Sequence, residues 1–123
     1  MIWEFPATML RVVDGDTFEA MIDRGFRDYS RKSFRLLGSA HGVDTYEVRD
    51  PDPLKRALAQ LGKARFMELA PVGSAIWIVS EKPDAQILPD SFGRWLAQCL
   101  NADGVNIGDT LLSEELAIPY VKG

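Results

Sequence analysis

Apolar and polar positions alternate over short runs in the first third of the chain and take a helical period in the middle. Thr8-Met9-Leu10-Arg11-Val12-Val13 reads as a first strand, and Thr17-Phe18-Glu19-Ala20-Met21-Ile22 alternates loosely as the returning strand. Between them Asp14-Gly15-Asp16 supplies turn chemistry, with Gly15 able to take positive φ at little cost. Asp23-Arg24-Gly25-Phe26 marks a second turn, and a third strand runs from Ser30 to Leu37. Asp50-Pro51-Asp52-Pro53 then signals a helix start: Asp52 can cap the free amides and Pro53 suits the first helical position. Leu54, Ala57, Leu58, Leu61, Arg65 and Leu69 follow at helical spacing until Pro71 and Gly73 end the element. Gly62 costs this helix up to about 1 kcal/mol relative to alanine. Lys55, Arg56, Lys63 and Arg65 read as its solvated face rather than as a nucleic-acid patch.

Beyond the helix, Ser74-Ala75-Ile76-Trp77-Ile78-Val79-Ser80 is rich in β-branched and aromatic residues and predicts a strand. Lys82 to Pro89 is a loop, and Gly93 to Leu100 returns as a fifth strand. Asn101-Ala102-Asp103-Gly104 is turn chemistry, and Asn106 to Leu116 predicts a short terminal helix with Leu111, Leu112 and Leu116 inward. The order βββ-α-ββ-α predicts a β-barrel with helices, an α+β fold of the five-stranded OB-type Greek-key kind, forming one domain over residues 1–123. No βαβαβ alternation calls for a parallel sheet.

Composition narrows the function classes. With 46% apolar and 26% charged residues the chain has the make-up of a soluble domain able to bury a core without staples. No apolar run approaches the roughly 20 residues that span a bilayer, so no membrane partner is expected. Met1-Ile2-Trp3-Glu4-Phe5-Pro6 lacks the basic and apolar stretches of a secretory signal, and a cytoplasmic monomer is the expectation. Cys99 is the single cysteine, which removes disulfides and cysteine-rich zinc sites, and its apolar flanks predict a packed thiol. A net charge of -4 argues against coating nucleic acid, but a few arginines focused in a cleft still suit an enzyme that acts on it.

The candidate chemistry lies in three places. Asp16 sits in the first turn. Asp44 and Glu47 follow the third strand, close behind Arg35. Arg94 opens the fifth strand, after Asp90-Ser91-Phe92-Gly93. Calcium takes several oxygens from carboxylates and carbonyls, and Asp16, Asp44 and the Thr45 carbonyl supply such a set if the two turns meet. Arg35 and Arg94, flanked by apolar or small residues, each need an anionic partner: a carboxylate in a structural salt bridge, or a phosphate matched by the planar fork. His41 is the only histidine, without a paired nucleophile motif, so a catalytic triad is not expected. Trp3, Trp77 and Trp95 read as core rather than as stacking platforms.

Taken together, the order of these motifs resembles the staphylococcal nuclease (thermonuclease-like) family. Asp14-Gly15-Asp16-Thr17 is similar to its first acidic turn, and Arg35-Leu36-Leu37-Gly38 with Val43-Asp44-Thr45-Tyr46-Glu47 to its central arginine-to-carboxylate motif. Phe92-Gly93-Arg94 with Leu96-Ala97 is similar to its second arginine strand. Asp103-Gly104 and Leu111 to Ala117 resemble its closing turn and helix. The resemblance implies an OB-type barrel and Ca²⁺-dependent hydrolysis of DNA and RNA with little sequence preference. It implies Ca²⁺ held by Asp16, Asp44 and the Thr45 carbonyl, water activated by Glu47, and phosphate clamped by Arg35 and Arg94. Two departures stand out. Asp44 comes nine residues after Arg35, farther than in the family, so Ser39-Ala40-His41-Gly42 reads as an insertion. Tyr46 stands where the family has proline, which loosens the loop that carries Glu47. The alternatives are a catalytically impaired nuclease-fold domain that binds nucleic acid or protein, and a plain OB-type domain that binds single strands or a protein.

Overall fold

A computed structural model describes residues 2–40, 42–81 and 94–120. The first strand, β1 (Ile2–Asp14), is long enough to serve two partners. Its first half pairs antiparallel with β5 (Ala75–Glu81), and its second half with β2 (Thr17–Asp23). Register shifts between Met9 and Arg11 and between Val12 and Asp14 bend it from one neighbour to the other. β2 continues the meander into β3 (Tyr29–Leu37). β6 (Trp95–Leu100) lies antiparallel to β5 and parallel to β3 over Phe34–Leu37. These five strands close into a barrel, joined by two helices in an α+β fold.

Two further short strands were not legible in the chain. β4 (Gly42–Asp44) folds back on β3 through Leu37 opposite Gly42, and β7 (Ile118–Tyr120) pairs with β4. The element order is therefore ββββ-α-ββ-α-β rather than βββ-α-ββ-α. The predicted loop from Lys82 to Pro89, and His41, Phe92 and Gly93, fall outside the described residues.

The helix α1 (Pro53–Leu69) starts as its sequence requires: the Asp52 side chain accepts from the Leu54 amide, and Pro53 takes the first turn. Its buried face is not the leucine stripe. Leu54 and Leu61 are 69% and 56% exposed, and the buried residues are Ala59, Gly62 and Phe66. Small residues let the helix axis approach the barrel so that the Phe66 ring reaches Phe18, 5.4 Å away between centroids. Arg65 is paired with Glu114 and Glu68 at 2.9 and 2.8 Å, in keeping with a solvated basic face. α2 (Ile107–Ser113) is shorter than the predicted Asn106–Leu116, because Asn106 is its cap. Glu115 takes the left-handed conformation with φ of 60°, and the Leu116 amide bonds back to Leu111 at 2.9 Å, which ends the helix and turns the chain into β7.

Trp77 is partly exposed, contrary to the expectation of a core residue, while Trp95 packs against the core. Cys99 lies fully buried, and burial pushes its thiol up to about 12. The native protein is therefore expected to resist iodoacetamide at mildly alkaline pH and to react once denaturant is added; rapid alkylation of the native form would contradict this. An ordinary thiol titrates near 9.0, so the contribution of the neutral buried thiol is complete below that pH and is lost as pH rises toward about 12.

Candidate functional site

The turn between β1 and β2 and the segment after β4 are interlocked. Asp16 is buried, 8% exposed, at the point where its backbone carbonyl accepts the Leu36 amide of β3 at 2.8 Å. Its carboxylate is gripped on both sides. Oδ2 accepts the Thr45 amide at 3.2 Å, and Oδ1 accepts the Thr17 hydroxyl at 3.1 Å. Asp14 Oδ1 accepts the Val48 amide at 3.2 Å, so the two aspartates bracket the segment that carries Glu47. Gly15 is required by space rather than by positive φ, which among the described glycines belongs to Gly25, Gly73 and Gly104. A Cβ on Gly15 would stand 2.9 Å from the Thr45 methyl carbon.

With Ser39-Ala40-His41-Gly42 lying between β3 and Val43, Asp44 still reaches Arg35 of β3. β3 and β4 form a tight antiparallel return, and α2 braces the turn: the Ser39 amide donates to Asp109 Oδ1 at 2.8 Å. Gly108 lies so close that a Cβ there would meet the Leu37 carbonyl oxygen at 2.5 Å. Asp44, at the end of β4, is thereby brought beside the first turn. One nitrogen of Arg35, Nη2, stands 3.5 Å from Asp44 Oδ1 and 3.8 Å from Asp16 Oδ2. The β2–β3 register places Arg35 opposite Thr17, which is why its guanidinium reaches this corner.

Arg94, just before β6, joins the cluster through Thr17, donating from Nη1 to its hydroxyl at 3.1 Å. Glu47 is exposed, and its carboxylate makes no hydrogen bond or ion pair among the described residues. It is placed by its neighbours, through the Thr45 and Val48 amides and through its own carbonyl, which accepts the Asp50 amide at 3.0 Å. Lys55 of α1 lies over the Tyr46 ring, 5.8 Å from the centroid, and Tyr46 lines a small pocket with Leu58 and Ile118.

The donor set suits a hard cation in kind. The two carboxylate oxygens converge on one positive nitrogen, and the Thr45 hydroxyl is buried there without a hydrogen-bond partner among the described residues. Among the described residues no group of three or more His, Cys, Asp or Glu side chains converges. A cation here would therefore rest on two carboxylates and main-chain oxygen, leaving positions for water and phosphate oxygens. Asp16, Asp44, Thr45, Arg35 and Arg94 are thus brought together, and Glu47 lies beside them.

Sequence reasoning missed the parts played by Asp14, Gly15 and Thr17. The signal was present in the Asp-Gly-Asp-Thr run, but which group each oxygen meets depends on where β4 returns. No protein-family model matches the chain, and no curated protein matches it. No described helix is long and apolar enough to cross a membrane.

Proposed function

We propose that the protein is a calcium-dependent phosphodiesterase of the thermonuclease-like kind, cleaving DNA and RNA with little sequence preference. The observation that carries this reading is Arg35 Nη2 lying 3.8 Å from Asp16 Oδ2 and 3.5 Å from Asp44 Oδ1, one acid from the first turn and one from the end of β4. The circuit β1-β2-β3-β6-β5 returning to β1, with β3 parallel to β6, supports the OB-type Greek-key form of the barrel.

Asp16, Asp44 and the Thr45 carbonyl would hold Ca²⁺, which when bound supplies positive charge to the phosphate oxygens and lowers the pKa of a water. Glu47 accepts a proton from the attacking water as its oxygen bonds to phosphorus. The phosphorus–oxygen bond to the leaving nucleoside breaks, and that oxygen takes up a proton from solvent. Arg35 and Arg94 hold the non-bridging oxygens, whose charge grows in the transition state, so their hydrogen bonds strengthen most there. Asp16, Asp44 and the neighbouring Glu47 outnumber Arg35 and Arg94, so the corner favours an added cation.

A second reading is a catalytically impaired domain that binds nucleic acid or protein. The same ion pairs favour it, since they satisfy Arg35 without a phosphate. Incubation with plasmid and single-stranded DNA, with calcium or with chelator, separates the two. The enzyme reading predicts calcium-dependent cleavage that falls by about 10²-fold or more in Glu47→Ala and in Arg35→Ala. Cleavage undiminished in both variants would overturn the mechanism. Tight binding without cleavage would favour the second reading.

A further inference from the structure

Thr17 is the first residue of β2 and is buried, 8% exposed. Its hydroxyl donates to Asp16 Oδ1 at 3.1 Å and accepts from Arg94 Nη1 at 3.1 Å. A hydroxyl has one proton to give and lone pairs to receive with, so it can hold both groups at once. Its β-branched side chain has restricted χ1 freedom in a strand, which fixes the oxygen. The other carboxylate oxygen, Oδ2, faces Arg35 and the Thr45 amide. The Asp16 carboxylate therefore has an Arg35 side and an Arg94 side, and the second runs through Thr17.

We infer that Thr17 is a positioning residue that sets Arg94 against Asp16, and so registers the phosphate-holding group at the entry to β6 with the cation-holding carboxylate of the first turn. Its functional half rests on the proposed phosphodiesterase reading. A direct Arg94–Asp16 ion pair would draw the guanidinium onto the carboxylate and neutralise both. The intervening neutral hydroxyl instead holds the guanidinium on the Oδ1 side of the carboxylate without a direct contact. Valine has nearly the same shape and lacks both hydrogen bonds; serine keeps the hydroxyl.

The test uses the full chain in two arms. In metal-free protein, ¹⁵N NMR of the Arg94 guanidinium is expected to show hindered rotation. The rotation should become faster in Thr17→Val and slow again in Thr17→Ser. In cleavage of single-stranded DNA at saturating calcium, Thr17→Val is expected to lower kcat by about tenfold with KM little changed, and Thr17→Ser to restore it. Arg94 signals unchanged by Thr17→Val, a rise in KM alone, or a serine variant no better than valine would overturn the inference. Absence of calcium-dependent cleavage in the wild type would instead overturn the phosphodiesterase reading and the functional half of this one, while the NMR arm still decides whether Thr17 positions Arg94.

Discussion

Replacing Asp16 with alanine is expected to abolish calcium-dependent cleavage, lowering kcat/KM by at least about 10²- to 10³-fold. The substitution removes the carboxylate proposed to hold the cation and, with it, the acceptor for the Thr45 amide and the Thr17 hydroxyl. A buried donor left without its partner costs about 1–3 kcal/mol, so a loss of stability accompanies the loss of activity. Asp16→Asn separates the two effects. An amide oxygen can still accept the Thr45 amide, although its NH2 cannot accept the Thr17 hydroxyl, so the thermal midpoint should fall less than that of the alanine variant while calcium affinity falls as the charge is removed. Steady-state kinetics and thermal denaturation in chelator read the two quantities. An alanine variant that cleaves like the wild type would remove Asp16 from the site.

The second large effect is structural. Gly108→Ala is expected to destabilise the fold by about 1–3 kcal/mol, and more if the backbone cannot shift. Its Cβ would stand 2.5 Å from the Leu37 carbonyl oxygen and 2.9 Å from the Gly38 nitrogen, both main-chain atoms rather than the tip of a side chain. The displaced Leu37–Gly38 turn leads directly into β4, so calcium affinity should fall as well. Gly62→Ala is the control. Its Cβ would lie 3.5 Å from the Leu116 carbonyl oxygen, an ordinary contact, and alanine is better than glycine in a helix by about 1 kcal/mol. Thermal denaturation should therefore move the two variants in opposite directions. Equal stability of Gly108→Ala and the wild type would mean that α2 does not press on this turn.

The parts of the fold that were legible are those with local causes. The second half of β1, β2, β3, the strand from Ala75 and the Asp52–Pro53 helix start each follow from a few adjacent residues, whereas residues 2–7 of β1 were not expected as strand. The misses arise from distant partners. Leu54, Leu58 and Leu61 share a helical stripe as good as any, yet the barrel takes the Ala59, Gly62 and Phe66 side, because only there can the backbone come close enough for Phe66 to reach the core. β4 and β7 are three residues each, and β7 contains Pro119, so neither carries a strand signal of its own; they exist by pairing with each other. At the site, the residue types were legible and their linkage was not. Asp16, Asp44 and Arg35 stand out in the chain. Asp14 on the Val48 amide, Gly15 against Thr45 and Thr17 between Arg94 and Asp16 depend on the hairpin that follows Leu37. That hairpin returns Asp44 to the first turn, which is how its place nine residues after Arg35 is compatible with the proposed single cation site.

That compatibility is the central claim, and calorimetric titration of calcium into the metal-free protein tests it most directly. One calcium per chain is expected in the wild type, with binding lost in both Asp16→Asn and Asp44→Ala. Absence of a calcium site in the wild type, or a site that persists undiminished in Asp44→Ala, would contradict it.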